Sequence, residues 1–207
     1  MVQRLKSEVR QRILAAAEAE FARAGYRGAT MAAIARSAGV ATGNLYRYYK
    51  GKDELFYTLF TDAFASSFLA TLRRRVGSLT ATDDLRALDE SATRDGEDLL
   101  SFWIANRLRV VVLLSRAEGS RYQDFPERFI DALMQPTLAL LCAESGTSQL
   151  SPVVHTTLHT IFDNTVRAIV ATLSAHDTEA AIREAFAAFW SYQLAGLDGF
   201  RKWVRHA

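Results

Sequence analysis

The chain has 207 residues, of which 49% are hydrophobic, and its net charge is only +2. This length and apolar fraction are typical of a folded protein with a real core and exclude a disordered chain. A single cysteine, Cys142, excludes an internal disulfide and fits a reducing compartment, so we expect a cytoplasmic protein. The charged N-terminus lacks the apolar core of a signal peptide, and we expect no membrane span.

Positive charge is concentrated at the N-terminal end. Residues 1–52 hold ten Lys or Arg and three Glu, a net +7, whereas residues 53–207 hold fifteen Lys or Arg and twenty Asp or Glu, a net −5. A basic end attached to a mildly acidic remainder indicates a DNA-binding domain at 1–52 and a second domain at 53–207 that does not bind DNA. The alternative for charge taken alone is a chance fluctuation.

Apolar residues recur at helical spacing along the chain and never alternate like strands over any length. The sequence therefore predicts an all-α protein of about nine helices. The first helix is expected from Ser7 to Ala24, with Gly25 ending it. A fourth, long helix is expected from Lys52 to Arg75, and a helix is expected to restart at Asp83 and Asp84.

Two short helices are predicted between residues 30 and 49. Thr30 is a good N-cap for the first, and Gly39 stands where a left-handed residue would end it. The second is expected from Thr42, as its cap, to Tyr49. Two small helices joined by a turn that contains Gly are typical of a helix-turn-helix, whose second helix enters the DNA major groove.

These residues also support a family resemblance over residues 7 to 60. The run resembles the DNA-binding domain of TetR-type transcriptional regulators, and the resemblance rests on Thr30, Ile34-Ala35, Ala38-Gly39-Val40, Leu45-Tyr46-Arg47-Tyr48-Tyr49, Lys52 and Leu55. It differs in having Tyr49 where Phe is usual. The resemblance implies a three-helix DNA-binding head and a helical body that dimerises and binds a small-molecule effector. It implies no required cofactor.

The resemblance also implies which residues meet DNA. Asn44 could pair with adenine, Tyr46 and Tyr48 would reach phosphates, sugars or thymine methyl groups, and Lys52 would neutralise a phosphate. The alternative for the tyrosines is a packed aromatic cluster, which we favour for Tyr49 together with a buried Leu45. The full predicted set is Thr30, Met31, Thr42, Gly43, Asn44, Tyr46, Arg47, Tyr48 and Lys52, with a backbone amide of the helix start at Thr30–Met31 holding one phosphate and Arg47 possibly only solvated.

The last two helices carry wide apolar faces that one chain has little left to cover. We therefore expect a homodimer with a two-fold, four-helix interface, although these faces could instead be buried within one chain. The predicted interface consists of Phe162, Val166, Ile169, Phe186, Phe189, Trp190, Gln193, Leu197 and Phe200. Two heads so paired would bind a near-palindromic operator.

An effector pocket is implied by the resemblance and only weakly indicated by the residues. The candidates combine apolar walls with a few polar groups, as ligand pockets do, but most would also serve as ordinary core. They are Phe64, Phe68, Trp103, Asn106, Arg107, Tyr122, His155, His159 and Phe162.

His155, His159 and Asp163 share one face of a helix and are predicted to continue the buried stripe of Phe162 and Val166. A metal site is one interpretation, with Asp163 as third ligand or as a partner of a histidine. The spacing also occurs by chance, and we favour polar residues of a pocket or interface, with no metal.

Together these patterns predict a regulator, specifically a repressor, that releases its operator when a small molecule changes the separation of the two heads. One alternative is an architectural or division-linked DNA binder without an effector. An enzyme is not expected, because the sequence has no nucleophile elbow, phosphate-binding Gly loop or dense metal motif, and so no catalytic residue is predicted. A purely structural helical dimer does not explain the basic N-terminal end.

Overall fold

The computed structural model describes the backbone of residues 2–81 and 90–206 and the side chains of residues 6–81 and 93–206. Within these residues every regular element is a helix, which confirms the predicted all-α class. The described part contains ten helices, close to the predicted nine. The predicted helix start at Asp83 and Asp84 lies outside the described residues.

The described chain forms two compact units. The first comprises the N-terminal residues up to Ala65 together with Arg107–Phe125, and the second comprises Ser66–Asn106 and the residues from Pro126 onward. Neither unit matches the predicted domains 1–52 and 53–207. A segment of the middle of the chain, 107–125, belongs to the same compact unit as the N-terminal helices, which no local pattern signalled.

Four helices and part of a fifth build the first unit around α1 (Val2–Gly28). α1 packs against α2 (Met31–Ala38), α4 (Lys52–Leu59) and α7 (Arg107–Ser115), and α2 packs against α3 (Thr42–Leu45). The core is a set of fully buried aliphatic and aromatic side chains, among them Ile13, Phe21, Ile34, Leu45, Leu55, Phe56 and Val112. Gly25 breaks the path of α1 with φ of 72°, as its position at the predicted helix end indicated.

The second unit contains most of α5 (Asp62–Thr80) and four other helices: α6 (Glu90–Ala105), α8 (Phe125–Ser145), α9 (Pro152–Ala175) and α10 (Glu179–His206). α10 packs against α9 and α6. Each helix buries one apolar stripe, such as Leu158, Phe162, Ile169 and Leu173 on α9. A bundle of this kind encloses a core between helices, which is where cavities for small molecules form.

The predicted fourth helix is divided into α4 and α5. It begins at Lys52 as expected, but Phe60 leaves the helical region with φ of −104° and ψ of 76°. Thr61 then caps α5, because its hydroxyl accepts a hydrogen bond from the Phe64 amide at 3.1 Å. A threonine followed by an acidic residue is an N-cap pattern that the sequence offered and that the apolar stripe concealed.

One described stretch, residues 52–80, is long and apolar enough to cross a membrane by length and composition, which the sequence analysis did not expect. The stretch is not one continuous helix, because it is interrupted at Phe60. Its largest apolar residues, including Leu55, Phe56 and Phe68, are fully buried within the protein. These side chains are already used by the two cores, so the stretch behaves as core rather than as a span.

Candidate nucleic-acid interface and ligand cavity

The turn between α2 and α3 is fixed by local hydrogen bonds. The Thr30 hydroxyl accepts from the Ala33 amide at 3.1 Å and caps α2. Gly39 ends the helix with φ of 66°, and the Gly39 and Val40 amides donate to the carbonyls of Arg36 and Ala35 at 3.2 and 3.0 Å. A residue with a Cβ would be strained at this φ, so glycine sets the angle at which the chain enters α3.

The helix α3 is shorter than predicted. It covers Thr42–Leu45, and Thr42 is its first residue, not its cap; the cap position is Ala41, which has no side-chain hydrogen bond to give. Tight turns continue the path, with the amides of Tyr46, Tyr48 and Tyr49 donating to carbonyls three or four residues earlier. Leu45 and Tyr49 are buried as expected, at 0% and 4% exposure, and anchor the segment to the core.

Anchoring through Leu45 and Tyr49 turns the other side of the segment outward. Thr42, Gly43 and Arg47 are exposed, Tyr46 is 51% exposed, and Asn44 and Tyr48 are half-buried. In the described part of the chain, the side chains of Thr42, Asn44 and Arg47 have no hydrogen bond or ion pair. The outer face therefore offers hydroxyl, amide, phenol and guanidinium groups that are free to bind a partner.

Two predicted residues at this surface have a structural role. The Met31 side chain is only 8% exposed, so only the backbone of Met31 is available to a partner. The Lys52 ammonium donates to the carbonyls of Tyr26 and Arg27 at 2.7 and 3.3 Å and lies 4.7 Å from the centre of the Tyr26 ring. Lys52 thus ties the start of α4 to the end of α1, and one of its three protons remains for a phosphate.

A polar and aromatic cluster holds the segment after α7 within the first unit. The Tyr122 hydroxyl donates to Asp62 at 2.7 Å, and the Arg121 guanidinium pairs with the same carboxylate at 3.2 Å and stacks on Tyr57. The Arg121 amide donates to the Tyr57 hydroxyl at 3.1 Å. Burial, reinforced by the hydrogen bond to Asp62, raises the pKa of Tyr122. This predicted pocket residue is therefore a buried tether.

The second unit encloses a cavity of about 100 Å³ between α5, α6, α8, α9 and α10. Its walls are mainly aliphatic and aromatic, and they include Leu72, Val76, Leu99, Trp103, Phe129, Leu133, Phe162, Ile169, Trp190 and Leu197. The polar side chains that line it are Arg75, Thr80, Thr137, Thr165, Gln193 and Arg201. This composition, mostly apolar with a few polar groups, is that of a small-molecule site.

Most polar groups of the cavity have partners within the protein. The Arg201 guanidinium is 6% exposed and donates to both carboxylate oxygens of Glu144, with Nε at 2.6 and 2.8 Å. Gln193 donates its amide to the Thr165 hydroxyl at 2.9 Å. Trp103 differs: it is 1% exposed, and its indole Nε1–H has no acceptor within the described residues.

The predicted effector residues are dispersed in the structure. Only Trp103 and Phe162 line the cavity. Phe68 is in the core of the second unit against Phe102 and Phe129, and the Asn106 side chain donates to the Phe102 carbonyl. The other candidates belong to the first unit or to the solvent-exposed side of α9; these are Phe64, Arg107, Tyr122, His155 and His159.

The predicted dimer residues mainly face inward, and this corrects the predicted interface. Five of them are less than 9% exposed within their own chain: Phe162, Val166, Ile169, Phe186 and Gln193. The remaining four, Phe189, Trp190, Leu197 and Phe200, are half-buried, and all but Phe189 line the cavity. An apolar stripe requires burial without specifying whether the cover is the same chain or another, and here the chain itself supplies it.

The histidine pair does not continue the buried stripe. His155 and His159 are exposed, whereas Val154 and Leu158, one residue earlier in each turn, are buried. Asp163 accepts hydrogen bonds from Arg167 at 2.8 and 3.0 Å, and the His159 Nε2 is 3.6 Å from Glu127. The described residues contain no group of three His, Cys, Asp or Glu side chains placed to hold a metal.

Sequence reasoning missed the walls of the cavity on α5 and α8. Leu72, Val76 and Leu79 line it at successive turns of α5, and Leu133, Thr137 and Leu141 do so on α8. Their helical spacing signalled a buried face in each case. No sequence signal distinguished a face that packs fully from one that leaves space.

Comparison with known proteins agrees with the geometry of the first unit. Residues 13–58 match the sequence profile of the bacterial regulatory proteins of the tetR family. A comparison with curated proteins finds no relative of significant sequence similarity.

Two solved structures align with most of the chain. A protein from Shewanella sp. PV-4, assigned to the tetR family of transcription regulators, is 22% identical over 89% of this chain and 97% of that one, with a TM-score of 0.37. The fatty acid degradation regulator FadR from Bacillus halodurans is 18% identical over 90% and 98%, with a TM-score of 0.39. At these values the alignments support no inference about function. The profile match and the helix pair it covers identify the chain as a transcription regulator of the tetR family, with the family's N-terminal domain at residues 13–58.

Proposed function

We propose that this protein is a ligand-responsive repressor that binds a near-palindromic DNA operator as a homodimer. The observation that carries the DNA-binding part is the outer face of α3 and its following turn. There Thr42, Asn44 and Arg47 are unengaged by other side chains in the described structure, while Leu45 and Tyr49 hold the segment rigidly from beneath. Such a preorganised polar surface suits base edges and phosphates.

The charge distribution supports the same surface. The net +7 of residues 1–52 attracts the phosphate backbone over a range longer than any hydrogen bond. Thr30 is exposed at the start of α2, and Lys52 retains one donor at the start of α4. We assign these two residues to phosphates, Arg47 and Tyr46 to the backbone, and Asn44 to a base edge.

The effector part rests on the cavity of the second unit. A molecule bound there would lower operator affinity only through a difference in its affinity for the DNA-binding and the released states. Tight binding to both states alike would leave the operator occupied.

The dimer part rests on the outer side of α10, which replaces the predicted interface. Tyr192 is 76% exposed and Trp203 is 50% exposed, and both are among the largest apolar side chains left in solvent by the described structure. Exposed small residues, Ala188, Ala195, Gly196 and Gly199, lie between them on the same helix. A second copy brings matching small residues and aromatics to this face, so that two α10 helices approach closely.

Fluorescence anisotropy tests the DNA-binding part. The purified protein is titrated onto labelled DNA from upstream of its own gene and onto a shuffled duplex, over a range of salt concentrations. We expect tighter, salt-sensitive binding to the upstream DNA. No binding to either duplex at low salt overturns the proposal, whereas equal binding to both favours an architectural DNA binder.

Three variants test the assignment of the surface. Arg47→Ala should weaken binding to all sequences and lower the salt slope by about one. Asn44→Ala should reduce the preference for the upstream DNA by roughly tenfold and keep non-specific binding. Arg73→Ala is the matched control, because it removes an exposed arginine from the second unit; an equal loss in Arg73→Ala and Arg47→Ala contradicts the assignment.

A further inference from the structure

The cavity of the second unit has a recognisable chemical preference, and the following inference rests on its proposed role as the effector site. Its volume of about 100 Å³ limits what can enter. An apolar cavity of about 150 Å³ holds a benzene molecule. The space between α5, α6, α8, α9 and α10 therefore suits a compact molecule of about one six-membered ring, and long chains or fused rings exceed it.

The charged groups of the cavity wall already face carboxylates. Arg201 is paired through two of its nitrogens with Glu144. Burial lowers the pKa of Arg75, and the nearby Asp95 carboxylate opposes this effect. An anionic ligand would have to compete with these carboxylates in a site with few polar walls, so the electrostatics favour a neutral molecule.

One donor in this wall is left for a ligand. The Trp103 indole lines the cavity at 1% exposure, and its Nε1–H has no acceptor in the described structure. Buried polar groups are almost always hydrogen-bonded, and an unsatisfied one indicates a partner that is absent from the protein alone. The ring itself is held by Phe186 and Trp190, at centroid distances of 5.2 and 6.1 Å, so the donor has a fixed direction.

We propose that the cavity binds a compact, neutral, mainly apolar molecule with one hydrogen-bond acceptor, such as a cyclic ketone, and that Trp103 Nε1–H donates to that acceptor. The apolar walls supply most of the affinity, and Trp103 supplies the orientation and the selection for a carbonyl or ether oxygen. A hydrocarbon of the same shape fills the same space and leaves the indole donor unsatisfied.

Three probes of similar size test the proposal: cyclohexanone, methylcyclohexane and cyclohexanecarboxylate. The full-length protein is labelled with ¹⁵N, and the Trp103 indole signal is identified by its absence in Trp103→Phe. We expect cyclohexanone to shift this signal saturably. Methylcyclohexane should bind with a much smaller shift, and the carboxylate should bind more weakly than the ketone at neutral pH.

The variant Trp103→Phe isolates the hydrogen bond. It should weaken cyclohexanone binding by roughly tenfold relative to methylcyclohexane, the worth of one buried hydrogen bond. Phe129→Leu is the matched control, since Phe129 lines the same cavity without a donor and should change both affinities by the same factor. If Trp103→Phe does not fold, the contrast between ketone and hydrocarbon shifts in the unmodified protein still decides.

Several outcomes would overturn the inference. These are an unshifted indole signal, equal loss of both probes in Trp103→Phe, or tighter binding of the carboxylate than of the ketone. DNA affinity is measured separately by anisotropy. Ketone binding that leaves operator affinity unchanged refutes the ligand response while leaving the site intact, and operator binding without ketone binding refutes only the site.

Discussion

The buried ion pair between Glu144 and Arg201 gives the sharpest stability prediction. The Arg201 side chain is 6% exposed and the Glu144 side chain 15% exposed, and the two are joined by several hydrogen bonds. Glu144→Gln keeps the shape and removes one charge, which leaves a buried guanidinium without its counter-charge. Breaking such a pair costs about 3–5 kcal/mol. We expect about 3 kcal/mol, since the amide still accepts a hydrogen bond and Glu144 keeps some solvent contact.

Urea unfolding followed by tryptophan fluorescence measures this change. All three tryptophans, at 103, 190 and 203, belong to the second compact unit, so the signal reports the unit that contains the pair. Glu97→Gln is the matched control: Glu97 pairs with Arg183 at 2.7 Å in the same unit, but both side chains are well exposed, at 59% and 37%. Its loss should cost less than about 1 kcal/mol.

The effect should also depend on pH in a defined direction. Hydrogen bonding from Arg201, stronger than the opposing effect of burial, holds the pKa of Glu144 below its ordinary value. A carboxyl with a lowered folded pKa stabilises the protein above its ordinary pKa and loses this contribution as the pH falls through the folded value. The difference between the unmodified protein and Glu144→Gln should therefore shrink on acidification below the ordinary carboxyl range.

Two results would refute this reasoning. One is a Glu144→Gln loss no larger than that of Glu97→Gln at neutral pH, which would mean that burial does not strengthen the pair. The other comes from the double variant Glu144→Leu with Arg201→Met. Replacing both charges by apolar groups should restore stability to within about 1 kcal/mol, and a loss as large as that of the single variant contradicts an uncompensated charge as the cause.

Three further changes probe the first compact unit, which has no tryptophan, by amide hydrogen exchange of peptides from residues 13–58. Thr30→Ala removes the cap to the Ala33 amide and should destabilise α2 by about 1 kcal/mol, with Thr30→Ser as the control that retains it. Phe56→Ala empties a fully buried site among stacked aromatic rings and should cost about 3–5 kcal/mol; a cost below about 1 kcal/mol contradicts that packing. Tyr122→Phe leaves Asp62 without its 2.7 Å donor and should cost about 1 kcal/mol, and unchanged exchange would show that the tether contributes nothing.

The DNA-binding surface could be predicted well because its decisive interactions are local. Thr30 and Ala33, or Gly39 and Arg36, are three residues apart, so the sequence alone places the cap and the turn. The buried positions of Leu45 and Tyr49 follow from the same short segment. Lys52 was assigned to phosphate without its structural role, because its acceptors, the carbonyls of Tyr26 and Arg27, lie some 25 residues away in the chain.

The cavity and the helix faces around it could not be predicted in the same way. On α9 two stripes compete, one through Val154 and Leu158 and the other through His155 and His159, and both contain Phe162 or its neighbours at helical spacing. Packing buried the wholly apolar stripe and exposed the histidines, since burying two polar rings without partners is costly. The choice rests on what surrounds α9, which the spacing within one helix does not contain.

The sequence by itself determined the helical class, the breaks at Gly25 and Gly39, the cap at Thr30 and the basic N-terminal end, because each depends on residues within a turn or two of one another. Only the tertiary structure decided that residues 107–125 join the N-terminal helices, that Gln193 and Phe162 line a cavity rather than a dimer face, and that Trp103 keeps an unsatisfied donor. The physical reason is that apolar periodicity specifies that a face is buried, whereas the partner that covers it is selected by packing among helices distant in sequence.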